Sequence, residues 1–192
     1  MPNWCYTDIS IIHNDENKVK ALYEKIKEWT SKDYAENGFG NYWLGNVVEG
    51  SGICHYDDVR CRGIIQYLAF DGSIKLSTET AWVPMLKMWS MVCDKYLPDA
   101  DITFTAEEGG CCLFASNDPD MIGKYYIDVY NPPEEFKDEE PVYDATEDFT
   151  IEFLQKVMKT KETDIKKLIR MADDEYWFSV NEWQEADISD FD

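Results

Sequence analysis

The chain has 192 residues, of which 44% are hydrophobic and 15% aromatic, enough apolar surface to offset folding entropy and to exclude wholesale disorder. Its 39 acidic and 18 basic residues leave a net charge of −21, which repels nucleic-acid phosphates and anionic lipid headgroups. The composition therefore argues against conventional nucleic-acid binding and against binding to a membrane.

Neither a secretion signal nor a membrane span is predicted. The first five residues lack the basic and long apolar regions of a signal peptide, and no apolar run approaches the ~20 residues that a bilayer requires. We therefore expect a cytoplasmic protein. In that reducing compartment its six cysteines should stay as free thiols: Cys5, Cys54, Cys61, Cys93, Cys111 and Cys112.

The first third of the chain predicts a strand, a helix and a long loop. Weak alternation over Trp4–Ile12 predicts a strand, and apolar residues spaced by three and four over Asn17–Thr30 predict an amphipathic helix. Residues 31–62 contain five glycines among scattered aromatics, a composition typical of an ordered loop. One short strand is predicted within that loop, at Tyr42–Val48.

The middle of the chain predicts two hairpins separated by a helix. Strands at 63–70 and 73–82 flank Asp71-Gly72, a strong hairpin signal. A helix should begin at Pro84 and stop before Pro98. Strands at 101–106, 111–116 and 124–130 follow. This βαββαβ order predicts an α+β domain over residues 1–133 with a ferredoxin-like antiparallel sheet and two helices on one face.

Composition changes at Asn131-Pro132-Pro133. Residues 134–192 carry 19 acids and 7 bases, and apolar spacing predicts helices at 146–159 and 164–170. We therefore predict an acidic helical C-terminal extension over residues 134–192.

The end of this extension combines acidic and aromatic residues. Beyond Arg170 there are eight acids and no base, yet aromatic side chains recur where a merely solvated tail would not need them. Aromatic anchors inside an acidic rim suit a protein interface, and docking on the protein's own sheet is the alternative. The candidate partner-binding residues are Asp173, Asp174, Glu175, Tyr176, Trp177 and Trp183.

Several short motifs resemble one family. They are the opening Met1-Pro2-Asn3-Trp4-Cys5, the stretch Tyr42–Val48 with Trp43, the stretch Thr80–Pro84 with Trp82 and Pro84, then Trp89, and Glu107–Gly110 with Glu108 and Gly109. Over roughly residues 1–117 the chain is similar to the YubB-like family of phage- and plasmid-borne proteins. The resemblance implies a ferredoxin-like domain and a mobile-element setting, and it brings no catalytic residues.

No catalytic signature is present, so we favour a non-enzymatic protein and predict no cofactor and no metal. Cys54, His55 and Cys61 are the residue types of a zinc site, but the paired spacing of zinc ligands is missing. Buried or half-buried thiols are the simpler interpretation. A metal-assisted hydrolase using these residues and a small-ligand-binding domain stay open as alternatives.

The tryptophans and the charge lead to the functional hypothesis. Exposed aromatics on a ferredoxin-like sheet can stack RNA bases, but without a basic groove we expect core and sheet packing for Trp4, Trp43, Trp82 and Trp89. The acidic surface can instead meet a basic protein. We therefore expect a protein-interaction module, with mimicry of nucleic acid towards a basic nucleic-acid-binding protein as its most specific form.

Overall fold

The computed structural model describes residues 3–32, 39–121, 123–172 and 177–191, and the chain divides into two compact units. Unit 1 comprises Met1–Asp118 with Glu185–Asp192, and unit 2 comprises Pro119–Gln184. The predicted division after residue 133 therefore falls inside unit 2. Among the described residues, none of the helices has the length and apolarity to cross a membrane.

Unit 1 contains both strands and helices. Its elements are β1 (Trp4–Ile12), α1 (Glu16–Thr30), α2 (Leu44–Ser51), β2 (Gly63–Phe70), β3 (Ile74–Ala81), α3 (Leu86–Tyr96), β4 (Asp101–Glu108) and β5 (Leu113–Ser116). Unit 2 contains β6 (Tyr125–Val129), β7 (Val142–Ala145), α4 (Glu147–Met158), α5 (Ile165–Ala172) and β8 (Phe178–Glu182). The two-residue strand β9 (Gln184–Glu185) follows.

The first sheet has the order β2-β3-β1-β4-β5-β9. β1 lies at its centre and pairs antiparallel with β3 and β4, while β2 and β5 pair antiparallel with β3 and β4 respectively. The predicted α+β class is confirmed.

One face of this sheet forms the core of unit 1. Cys5, Ile9 and Ile11 of β1 are buried in one cluster with apolar side chains of α1, α2 and α3. Side chains alternate between faces along a strand, so the intervening residues of β1 point to the opposite face. The sheet is therefore covered by helices on one face.

Local sequence signals account for the ends of several elements. The Asp15 side chain accepts hydrogen bonds from the backbone N–H groups of Asn17 and Lys18 and so caps α1. In the predicted β2–β3 hairpin, Asp71 accepts from the backbone and hydroxyl of Ser73, and Gly72 takes a positive φ of 103°.

The strand predicted at Tyr42–Val48 is wrong, because the chain forms α2 there. Leu44, Val47 and Val48 follow helical spacing and are fully buried, and Gly52 ends the helix in the left-handed conformation with φ 60°. In a segment this short, burial against the core outweighs weak local propensity. Only an isolated bridge, Trp43 with Ile64, has strand character.

Unit 2 is a three-stranded antiparallel sheet, in the order β7-β6-β8, packed with α4 and α5. Both predicted helices are present. The expectation of a helical extension over residues 134–192 is wrong in part, because β7 and β8 lie within it. Their few residues gain a buried face only by pairing with β6.

Candidate functional site

Motif residues that are far apart in sequence meet at one end of the first sheet. Because β1 runs antiparallel to β3, Cys5 lies opposite Thr80 and Trp4 opposite Ala81. The other neighbour, β4, ends on the same side, at Glu108. We call this place, where β1 begins and β3 and β4 end, the motif end of the sheet.

Backbone hydrogen bonds join β1 to the segment after β3. The N–H of Trp82 donates to the carbonyl of Asn3 at 3.0 Å, although Trp82 has the left-handed φ of 76°. The Thr80 hydroxyl lies 3.3 Å from the carbonyl of Cys5 and 2.8 Å from that of Val83. These contacts fix the turn that leads into α3.

The tip between β4 and β5 is organised by Glu108. This carboxylate is buried, and it accepts hydrogen bonds from the backbone N–H groups of Gly110, at 3.0 Å, and of Cys111. A Cβ atom on Gly110 would lie 2.4 Å from the side-chain nitrogen of Asn3. The glycine therefore lets the tip approach the start of β1.

The strand predicted at 111–116 begins two residues later than expected, because its first residues belong to this tip. Gly109–Cys111 form a 3-10 turn, and Cys112 is left-handed with φ 53°, so β5 starts at Leu113. The Cys111 pKa is raised, mainly by a hydrogen bond to the Glu108 carboxylate. The Asn3 side chain donates to the Cys111 sulfur at 3.9 Å.

Cys5 has the environment of a structural thiol. It is fully buried, its sulfur lies 3.6 Å from the Thr7 hydroxyl, and burial raises its pKa to about 11. Because of this high pKa, the thiol stays protonated at neutral pH and is a poor nucleophile. At the motif end, Cys5 is therefore a buried structural thiol.

The opposite face of the sheet exposes aromatic side chains. Trp4 is 42% exposed, Tyr6 51% and Tyr67 of β2 57%. Trp82, which follows β3, is 47% exposed, so neither Trp4 nor Trp82 lies in the core, whereas Trp43 and Trp89 are buried. The alternation of residues along β1 assigns them to two faces of the sheet, but it does not show which face the helices cover.

We call this the open face of unit 1. Its members in β1, β2 and β3 are Trp4, Tyr6, Asp8, Ser10, Ile12, Ile64, Tyr67, Lys75, Ser77 and Glu79.

The strand register arranges the open face in rows that run across the sheet. One row, in spatial order, is Ile64, Glu79, Tyr6, Glu107 and Phe114. The next is Tyr67, Ser77, Asp8, Thr105 and Ser116. Side chains directly opposite on neighbouring strands lie within reach of each other. Each row is exposed or half-buried from β2 to β4, whereas Phe114 and Ser116 of β5 are buried.

Polar side chains at the centre of the open face bond to each other. The Ser77 hydroxyl donates to the Asp8 carboxylate, and Lys75 Nζ donates to Ser10 Oγ at 2.8 Å. They line a shallow depression of about 190 Å³, to which Tyr67 also contributes.

His55 and Cys61 have different polar partners. The His55 ring lies 3.8 Å from a carboxylate oxygen of Glu49 and contacts the Tyr56 ring at a tilt of 32°, whereas the Cys61 thiol donates to the Tyr56 carbonyl at 3.4 Å. Burial raises the pKa of Cys61 to about 11. Within the described ranges, no group of three or more His, Cys, Asp and Glu side chains could hold a metal ion.

The predicted C-terminal partner-binding residues fall into two groups. Trp177 stacks on Phe136 with ring centroids 5.1 Å apart, and the Trp183 indole N–H donates to the Tyr143 carbonyl at 2.8 Å. Both side chains therefore have contacts within unit 2. Asp173, Asp174, Glu175 and Tyr176 lie outside the described residues, as does Pro2.

Comparisons of the chain with protein-family models, with curated proteins and with solved structures found no match.

Proposed function

We propose that the chain is an acidic, non-enzymatic accessory protein that binds a positively charged protein through the open face of unit 1. The observation that carries this proposal is the exposure of Trp4, Tyr6 and Tyr67 on one uncovered sheet face. Aromatic side chains dominate the energetics of protein interfaces, and large exposed aromatics on one surface are typical of interaction sites.

The class of partner follows from charge. The net charge is −21, and Asp8 and Glu79 lie among the aromatic side chains of the open face. A nucleic acid would meet electrostatic repulsion, whereas a basic protein surface is attracted and steered towards this face. The specific form of the proposal is mimicry, in which the chain occupies the surface of a basic nucleic-acid-binding protein that otherwise meets phosphates.

We also propose a fold family and a biological setting for the protein. The strand order β2-β3-β1-β4, with α1 and α3 in the two crossovers, supports a ferredoxin-like assignment of unit 1. The meeting of Asn3–Cys5, Thr80–Trp82 and Glu108–Gly110 at the motif end supports a YubB-like relationship, since these motifs then serve one local structure. We infer a cytoplasmic protein of a phage or another mobile element.

The test is capture of host proteins on the immobilised full chain, after nuclease treatment of the lysate. The wild type is compared with the double variant Tyr6→Ala/Tyr67→Ala and with Phe149→Ala, which removes an exposed ring in the first turn of α4. The proposal expects a basic protein that the wild type and Phe149→Ala retain and the double variant loses. A protein retained equally by all three would show that the open face is not the binding site.

Mimicry adds a competition experiment on the captured protein. Double-stranded DNA should release it from the wild-type chain, and binding should weaken strongly at about 1 M salt, where the screening length is about 3 Å. Binding that is indifferent to both DNA and salt would contradict an electrostatic mimic.

A small polar ligand on the open face is the second candidate, favoured by the depression around Asp8, Ser10, Lys75 and Ser77. Its volume of about 190 Å³ lies below the roughly 300–1,000 Å³ of typical ligand pockets, so only a small ligand fits. A screen of polar metabolites by NMR distinguishes the two functions. A metabolite that shifts the Asp8 and Lys75 signals and is lost in Asp8→Asn would favour the ligand site.

A further inference from the structure

We propose that the open face binds an extended, proline-rich segment of the basic partner, in a groove that runs over β3 between the aromatic rings of β1 and β2. This inference rests on the proposed function, because it names the conformation and composition of the partner segment at the same face. It goes further in predicting which short peptides the full chain should bind.

The strand order places this groove between two lines of exposed side chains. β3 lies between β2 and β1 in the sheet, so β1 and β2 are two strand spacings, about 10 Å, apart. Tyr6 of β1 is 51% exposed and Tyr67 of β2 is 57% exposed. Glu79 and Ser77 of β3 lie on the same face and are half-buried. Exposed rings therefore flank a floor of lower, polar side chains.

The width of the groove favours an extended segment over a helix. An α-helix with its side chains is about 10–12 Å across, as wide as the whole distance between the β1 and β2 backbones, from which the two rings stand up. An extended chain is narrower, since such chains lie as close as about 4.8 Å side by side. An extended segment therefore fits between the rings of Tyr6 and Tyr67.

The backbone of the sheet favours polyproline II over a β-strand for that segment. Backbone N–H and C=O groups lie in the plane of a sheet, and β3 is paired with β1 on one side and with β2 on the other. A polyproline II segment needs no such pairing, because it has no internal hydrogen bonds and keeps its backbone solvated. Grooves lined by aromatic side chains bind such segments, and here Trp4, Tyr6 and Tyr67 supply the rings.

Charge selects basic residues beside the prolines. Asp8 is exposed, and its carboxylate accepts a hydrogen bond from the Ser77 hydroxyl in the floor of the groove. The Glu79 carboxylate accepts a hydrogen bond from Gln66 at 2.6 Å. Both acids lie beside Tyr6, one in the next row along β1 and the other directly opposite on β3. A basic residue next to the prolines therefore meets carboxylates that are already held in place.

The charges also give the groove a direction. Lys75 lies one row beyond Ser77 on β3, and its Nζ donates to Ser10 Oγ at 2.8 Å. Positive charge therefore lies at one end of the groove, and Glu79 places negative charge at the other. We expect the basic residues of the partner at the Glu79 end.

The test uses three capped heptapeptides. The first has five prolines followed by two arginines, the second has alanines in place of the prolines, and the third has glutamates in place of the arginines. Five prolines in polyproline II extend about 15 Å, close to the length of β3 from Lys75 to Glu79. Each peptide is titrated into the ¹⁵N-labelled full chain, and the amide signals of Tyr6, Ser77 and Tyr67 are followed.

We expect the peptide with prolines and arginines to shift these signals and to bind about fivefold more tightly than either of the others. Proline adds apolar contact with the rings and restricts the free peptide before it binds, so the alanine peptide should bind more weakly. The glutamate peptide should bind more weakly because it meets Asp8 and Glu79 with like charge.

Four single variants make the result specific. Tyr6→Phe keeps the ring and should keep the preference for proline, whereas Tyr67→Ala should reduce it to less than about twofold. Asp8→Asn should keep the preference for proline and reduce the preference for arginine over glutamate. Phe149→Ala removes an exposed ring of unit 2 and should change neither preference. The amide spectrum of each variant shows whether it is folded, and Tyr6→Ala repeats the test if Tyr67→Ala is not.

The outcomes separate this inference from the proposed function. Equal affinity for the proline and alanine peptides, shifts confined to other residues, or no binding at millimolar peptide would overturn the proline-rich site. If the double variant still loses its captured protein in that case, the proposed function stands alone. A preference for proline without any captured protein would leave the site standing and remove the proposed function.

Discussion

Replacing Glu108 by alanine tests how far the motif end depends on one carboxylate. Glu108 is buried and accepts hydrogen bonds from the backbone N–H groups of Gly110 and Cys111. Each hydrogen bond to a charged group contributes about 1.5–3 kcal/mol, but the exposed tip allows water to replace the carboxylate in part. We therefore expect Glu108→Ala to lower the free energy of unfolding of unit 1 by about 2 kcal/mol.

Two variants calibrate this value. Glu108→Gln keeps the shape and one acceptor oxygen, so it should cost about 1 kcal/mol. Asp101→Ala removes an exposed acid from the first position of the same strand and should change stability by less than about 0.5 kcal/mol. The assay is urea denaturation of the full chain, followed through the methyl signals of Ile9 and Ile11 in the core of unit 1.

A second measurement distinguishes the specific role of Glu108 at the tip from a general loosening of unit 1. The Glu108 carboxylate raises the pKa of the Cys111 thiol, so its removal should increase the thiolate fraction and speed alkylation of Cys111 by iodoacetamide at pH 8. The measurement is made in a Cys112→Ser background, so that one exposed thiol of the tip reacts. Unchanged stability together with unchanged alkylation in Glu108→Ala would refute the organising role of this carboxylate.

Three further predictions concern the core and the ends of elements. Burial raises the pKa of Cys5 to about 11 and of Cys93 to about 12, so the folded state holds these protons more tightly than the unfolded state. Their contribution to stability should be complete below pH 9 and decline as the pH rises through 11–12, and urea denaturation of Cys93→Ala should show a shallower decline. Phe191→Ala removes the edge-on contact with the buried Phe104 ring, at 5.7 Å between centroids, and should destabilise unit 1 by about 1.5 kcal/mol in thermal unfolding, about half the cost for a buried ring. Gly52→Ala forces a side chain into the left-handed end of α2 and should cost about 1 kcal/mol in the same assay, with Gly52→Asn costing less.

Elements with strong local signals could be predicted from the sequence. α1 has an amphipathic spacing and an aspartate at its cap, and the Asp71-Gly72 turn between β2 and β3 has residues that suit its backbone angles. α2 lacked such signals, because eight residues with two glycines show too little periodicity to distinguish a helix from a loop or strand. Its conformation depends on burial against distant parts of unit 1.

The candidate site could be predicted from the sequence only in part. The alternation in β1 shows that Trp4 and Tyr6 share a face, but only the positions of α1, α2 and α3 decide that this face is uncovered. The row that places Glu79 and Glu107 beside Tyr6 depends on the register of three strands, and no spacing within one segment encodes it.

The sequence by itself determined the charge, the α+β class and the places where most helices and strands form, since these follow from composition, periodicity and local capping. Tertiary structure alone decided which face of β1 is open and that the residues after Gln184 belong to unit 1, where Phe191 meets Phe104. It also decided that Phe178–Glu182 pairs with β6, about fifty residues earlier. The physical reason is that strand pairing and burial join residues distant in the chain, and their free energy depends on the whole surface removed from water.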